Sequence, residues 1–165
     1  LFSTKPGPGW AKDGKFEDPR TNKQGRLPTE WAKYRGLYLN GWNVVLKYTV
    51  GSAEVLEMPG LENVGEAHLV TRTFELNSAT PQTLLVCDNA PVGDAKGGHL
   101  TLEFPAAGND PAQTLAIAVQ GGTGITLAND NGRVTAKIPA GKGPHGLCVY
   151  PQPGRYSLGH TGVFR

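Results

Sequence analysis

GLYLNGWNVVLKYTVGSAEVLE, residues 36–57, sets the fold class, because two tight-turn signals interrupt segments with a period of two. Asn40-Gly41 suits a type I′ turn, in which both central residues take positive φ, and Gly51-Ser52 suits a type II′ turn with Gly at its first central position. Between the turns, Val44, Leu46, Tyr48 and Val50 fall on one face, and Val45, Lys47 and Thr49 fall on the other. The stretch reads as a three-stranded antiparallel meander. It specifies a sheet and no chemistry.

Moving outward, His68–Leu76, Gln82–Cys87, His99–Phe104, Thr114–Gln120, Ile125–Ala128, Arg133–Pro139 and Leu147–Tyr150 each read as a short strand. Asn129-Asp130-Asn131-Gly132 marks a further hairpin. Asp88–Gly98 and Gly121–Gly124 read as a loop and a break. Upstream, residues 1–27 form an irregular arm of turn chemistry (PGPG, KDGK, EDPR, NKQG), with Trp10 and Phe16 as its anchors. Pro28 then opens a short helical turn, TEWAKYR, stopped at Gly36. The expected architecture is one all-β domain: an antiparallel β-sandwich of about nine or ten short strands over 28–165, with the arm packed on the body and one short helix. A partial β-propeller is the alternative, although no blade-length repeat is present.

Composition agrees. The chain has 165 residues, enough for a real core, with 38% hydrophobic residues, 23 Gly and 13 Pro, which favours turns and short strands over helices. No run of 18 apolar residues occurs, so no membrane-spanning helix is expected. The chain opens at Leu1 without an apolar signal stretch and reads as a processed or excised piece of something longer. Residues 1–35 hold eight Lys or Arg against four Asp or Glu, and the remainder holds eight against ten. The cations of the arm are interleaved with Glu17, Asp18 and Glu30, so a solvated loop surface is favoured over a nucleic-acid interface.

The usual catalytic constellations are missing. GGTGIT, residues 121–126, lacks the third Gly of a dinucleotide fingerprint and the GK[ST] ending, and a strand follows it, so it reads as a strand-connecting turn. Asn129–Gly132 fails the calcium-loop pattern, because the first ligand would be Leu127. There is no GxSxG elbow and no HExxH. His68, His99, His145 and His160 are dispersed and read as surface or loop histidines rather than metal ligands. In EDPR, Asp18 beside Pro19-Arg20 folds the arm back on itself. Cys87 and Cys148 each end an apolar run. They are either a disulfide, worth about 4 kcal/mol by loop closure, or two buried thiols on neighbouring strands. Neither CxxC nor CxxCH occurs, which excludes covalent haem attachment in this segment. The aromatics Trp10, Trp31, Tyr34, Tyr38 and Trp42 crowd the first quarter of the chain, either as a sugar-stacking platform or as a mini-core under the arm.

At FEDPR (16–20), LPTEWAKYRGLYLNG (27–41) and VVLKYTVGSAEVLE (44–57) the chain resembles an uncharacterised domain family of large exported bacterial proteins. The family pattern runs near F-x-DPR, PLPxDWAxYxGLYLHG and VVLSYTVGxxxVLE. The resemblance extends less sharply through TRTFEL (71–76), TLLV (83–86) and VTAKIPA (134–140), and covers most of residues 2–140. GLCVYPQPGRYSLGHTGVFR (146–165) falls outside it. In that family the domain shares a polypeptide with c-type cytochrome segments and a dehydrogenase-like β-propeller. The His before the hairpin Gly in that pattern is Asn40 here, which argues against an obligatory haem ligand at that position.

The resemblance implies a periplasmic or extracellular module that carries no cofactor of its own and works beside haem c on a partner or a missing segment. The leading expectation is a non-catalytic β-module that docks or orients redox domains or subunits, with Trp31, Tyr34, Arg35, Tyr38 and Trp42 as its partner surface. A carbohydrate-binding module using the same aromatic cluster is the alternative, with polysaccharide as ligand. A fragment of an oxidoreductase completed by other segments is the third reading.

Overall fold

A computed structural model describes residues 8–65, 67–91, 93–96, 98–106, 112–121 and 124–152, with their side chains except at 67, 68, 94 and 147–152. The described chain is all-β. In order, the strands are β1 (Ala32–Asn40), β2 (Asn43–Val50), β3 (Ala53–Val64), β4 (Ala67–Ser78), β5 (Gln82–Cys87), β6 (Gly93–Lys96), β7 (His99–Phe104), β8 (Gln113–Gln120), β9 (Thr126–Asp130), β10 (Arg133–Ile138) and β11 (Gly141–Gln152). An eight-stranded antiparallel sheet, β1-β2-β3-β4-β11-β8-β7-β6, packs on a three-stranded antiparallel sheet, β5-β10-β9.

One core joins the two sheets. Val50, Val55, Phe74, Leu76, Leu100, Leu102, Leu115 and Ile117 face it from the large sheet, and Leu84, Cys87, Leu127, Val134, Ala136 and Ile138 from the small one. The alternation in His99–Phe104 and Arg133–Ile138 puts every second residue inside. Each fully buried aliphatic side chain stabilises the fold by about 1.5–3 kcal/mol.

The meander is present as β1-β2-β3, and its turns use glycine as a two-residue hairpin requires. Gly51 takes φ +56 at the first central position, as a type II′ turn demands. The first turn differs from the expected one. Asn40 pairs with Asn43, so the central residues are Gly41 and Trp42, and of these only Gly41 has positive φ. The type I′ geometry appears instead at Asn131-Gly132, where both residues have positive φ and the Asn129 carboxamide accepts from Gly132 N–H at 3.1 Å.

Four other expectations need correction. The TEWAKYR helix stops after one turn, in which Trp31 and Ala32 N–H both donate to Pro28 C=O. No helix occurs among the described residues, because Ala32–Asn40 pairs along its whole length with β2. Gly36 is no helix stop; it follows a bulge at Arg35, where the register shifts between Tyr34 and Gly36. The strand count is eleven: β6 lies inside the expected Asp88–Gly98 loop, and β3, β4 and β11 are twelve residues long. Pro59 sits inside β3 because its ladder there is with β4 alone, so its missing N–H leaves no bond unmade.

The arm is part of the fold. Ala11 N–H donates to Thr83 C=O and Leu85 N–H to Gly9 C=O, so Gly9–Ala11 runs beside β5 at the open edge of the small sheet. Trp10 lies in the core, edge-on to Phe74 with ring centroids 5.8 Å apart. Phe16 lies under the Arg133 guanidinium at 5.4 Å, and Arg133 Nε donates to buried Asp88 at 3.0 Å. Asp18 grips Arg20 through both carboxylate oxygens, and Arg20 also donates to Gly25 C=O.

Candidate docking surface on the paired hairpins

The β2–β3 ladder runs from Val50↔Ala53 to Leu46↔Glu57 and ends there. Beyond that row, Asn43–Val45 pairs only with β1, and Met58–Val64 pairs only with β4. Two separate hairpins therefore continue past the shared sheet, one tipped by Gly41-Trp42 and the other by Gly65. Among the described residues, the exposed large hydrophobic side chains are Tyr34, Leu37, Tyr38, Leu39 and Trp42 on the first hairpin and Leu61, Val64 and Val70 on the second. A grouping of this kind marks an interaction surface more often than chance scatter.

The register assigns faces. Tyr34, Leu37 and Leu39 oppose Tyr48, Leu46 and Val44, so they share the face that meets the core further along the sheet. Lys33 and Tyr38 oppose Thr49 and Val45 on the reverse face, where Lys47 also lies, opposite Gly36. Arg35 sits in the bulge. Trp42 is fully exposed at the turn. Of the residues picked from sequence, Tyr34, Arg35, Tyr38 and Trp42 thus share one edge hairpin. Trp31 is elsewhere: it is 7% exposed, and its indole N–H donates to Trp10 C=O at 3.1 Å, holding the arm. Tyr34 and Tyr38 lie on opposite faces, so the aromatics do not form a coplanar stacking platform.

The sequence reading missed Leu37, Leu39, Leu61, Val64 and Val70. The first two lay in plain view in GLYL, but their exposure follows from β1 being the sheet edge, which no local pattern encodes. A buried polar clasp stands at the root of the hairpins. Trp10 Nε1–H donates to Tyr48 Oη at 3.1 Å, Tyr48 O–H donates to Glu57 Oε2 at 2.6 Å, and Arg72 Nε–H donates to Glu57 Oε1 at 2.7 Å. The Arg72 guanidinium stacks over Phe74 at 5.0 Å. Burial, reinforced by the neighbouring Glu57 carboxylate, pushes the Tyr48 phenol far above its ordinary value and keeps it a donor. Each of its side chains is hydrogen-bonded to another, so it is built to hold structure.

A groove of about 400 Å³ opens on the other side of the arm, between Lys12-Asp13-Gly14, Glu30-Trp31, Gly51-Ser52 and Thr80–Thr83. Lys12 Nζ lies 5.8 Å from the Trp31 ring centroid there. Its charged residues sit at the rim, on exposed turns. Elsewhere, His99 is exposed and His145 is buried in β11. The side chain of His68 and all of His160 lie outside the described residues. No group of three His, Cys, Asp or Glu side chains able to hold a metal occurs among the described residues. Cys87 is a free buried thiol, raised to about 11 by burial and then by Asp88. The Cys148 side chain lies outside the described residues, while its backbone sits in β11 between Thr71 and Ala118.

Fold and surface together define an open two-sheet β-module with an apolar double hairpin at one end. A family model described as Domain of unknown function (DUF6797) matches residues 1–57. That span comprises the arm, β1, β2 and the paired first part of β3, and it ends at Glu57, where the β2–β3 ladder ends. The match is shorter than residues 2–140, over which the resemblance extends. No curated protein and no solved structure matches the chain.

Proposed function

We propose that this chain is a non-catalytic β-module of an exported, cytochrome-associated multidomain protein, and that its paired hairpins dock or orient a neighbouring redox domain or subunit. One observation carries this reading: the exposed large hydrophobic side chains of the described residues all lie on β1–β4 and their turns. Apolar side chains grouped in this way gain from being covered, at about 25 cal/mol per Å² buried. The hydrogen-bonded clasp of Tyr48, Glu57 and Arg72 supplies rigidity at the base of that surface. The choice of a redox partner rests on the exported, haem-bearing setting that the resemblance implies.

Chemical cross-linking of the native full-length protein through its lysines tests this. Lys33 and Lys47 are expected to cross-link to another domain or subunit, with a Soret band in the same purified particle. Cross-links confined to this domain, or a colourless particle, would overturn the reading.

A further inference from the structure

We propose that the outer edge of β1 accepts an added strand, an extended segment of the docked partner with carboxylates on one face and apolar side chains on the other. This rests on the docking reading and narrows it to one edge and one chemistry. β1 is the end strand of the large sheet and its ladder is with β2 alone, so its other row of backbone N–H and C=O groups faces outward. Its side chains are open on both faces, with only Ala32 and Gly36 half-buried.

Sheet edges are usually blunted by lysine, proline or a bulge. The first half of β1 has two of these devices, Lys33 and the Arg35 bulge. The second half, Gly36–Asn40, has none and reads GLYLN. The blunting is also selective. Lys33 and Arg35 form no ion pair among the described residues, and Lys47 adds a third cation beside them on β2. A second copy of this strand would bring more cations and no carboxylate to answer them. An acidic strand would be attracted.

The faces complete the specification. Leu37 and Leu39 lie on one side of the edge, and Lys33 and Lys47 on the other. An incoming strand that alternates carboxylate and apolar residues satisfies both sides, with main-chain bonds supplying affinity and side chains supplying selection.

The test uses a dye-labelled synthetic peptide of alternating Glu and Val. Its controls are a Lys–Val peptide and a Glu–Val peptide N-methylated at alternate residues, which cannot donate along one edge. The Glu–Val peptide is expected to bind, to slow amide exchange over Gly36–Asn40, and to bind at least about tenfold more weakly at low salt to the K33E/R35E variant. The Lys–Val and N-methylated peptides are expected not to bind. Should the variant fold poorly, the peptide controls decide alone, since they leave the protein unchanged. Absence of Glu–Val binding, equal binding of either control, or protection on another strand would overturn the proposal. Cross-links from the native protein in the absence of peptide binding would leave the docking reading standing and remove only the added strand.

Discussion

Tyr48 and Glu57 are diagonal neighbours on adjacent strands, joined by a 2.6 Å hydrogen bond on the core face of the large sheet. Trp10 donates to the Tyr48 hydroxyl from the arm and Arg72 to the Glu57 carboxylate from β4, so one chain of hydrogen bonds ties the arm, β2, β3 and β4 together. Tyr48→Phe removes the acceptor of the Trp10 indole and one donor to Glu57. It is expected to destabilise the domain by about 1–3 kcal/mol. Glu57→Ala is expected to cost about 3 kcal/mol, the low end for a broken buried ion pair, because Arg72 keeps partial access to solvent. Urea unfolding followed by circular dichroism measures both. A neutral Tyr48→Phe would show that the clasp adds no stability.

Trp10 and Trp42 make opposite predictions from the same residue type. Trp10 is buried between the sheets, so Trp10→Ala is expected to lose about 3–5 kcal/mol and to speed tryptic cleavage after the already exposed Lys12 and Lys15 as the arm backbone leaves β5. Trp42 touches solvent all round, so Trp42→Ala is expected to change stability by no more than about 0.5 kcal/mol. Denaturation curves with a timed tryptic digest separate the two. Equal effects would mean that the arm is not held by its tryptophan.

How much of this was legible follows from the range of each interaction. The period of two in NVVLKYTV and HLTLEF needs only neighbours in sequence, and both strands stand where that period puts them. The turn stands at Gly41-Trp42, one residue beyond the expected Asn40-Gly41, because Asn40 pairs with Asn43, and that register is a property of the two strands together. Gly141–Gly146 stood outside the strands expected from sequence, yet it pairs with β4 as the start of β11. Gly146 also lies beside Gln120 of β8 and allows close approach: a Cβ there would stand 2.7 Å from Gln120 C=O. Trp31 and Trp42 looked alike in sequence. Their fates differ because the arm covers one and nothing in the described chain covers the other. Edge position is global, and with it went the exposure of Leu37 and Leu39.

Asp18 gives a pH-dependent loop closure. Its carboxyl is held down to about 2, first by the hydrogen bonds from the Arg20 side chain and also by the Arg20 backbone N–H. A lowered carboxylate contributes above its unfolded value and is lost as pH falls through its folded one, so the Asp18–Arg20 pair should survive mild acid and open only near pH 2. Arg20→Lys cannot grip both oxygens and should return the carboxyl to the ordinary carboxylate range. Carbon-detected NMR titration of the Asp18 side chain reads this directly. An unshifted carboxyl in the wild type would contradict the geometry.

His145 should make the whole domain acid-sensitive in a milder range. It is buried in β11 opposite Phe74, with Nδ1 lacking a hydrogen-bond partner, and Leu84, Val119, Ile125, Ala136 and Ile138 surround the same small void. Burial lowers its affinity for a proton, so the folded state keeps the ring neutral while the unfolded chain protonates below about pH 6.5. The unfolded state then binds more protons, and stability falls as pH drops below that value while staying flat above it. His145→Leu removes the titration and suits the apolar surroundings, so its unfolding free energy should vary less between about pH 7.5 and 5.5 than that of the wild type. The two proteins differ only at this ring, so the difference between the two urea series isolates it. Parallel pH dependence in wild type and variant would mean that the ring is already solvated or protonated in the folded state.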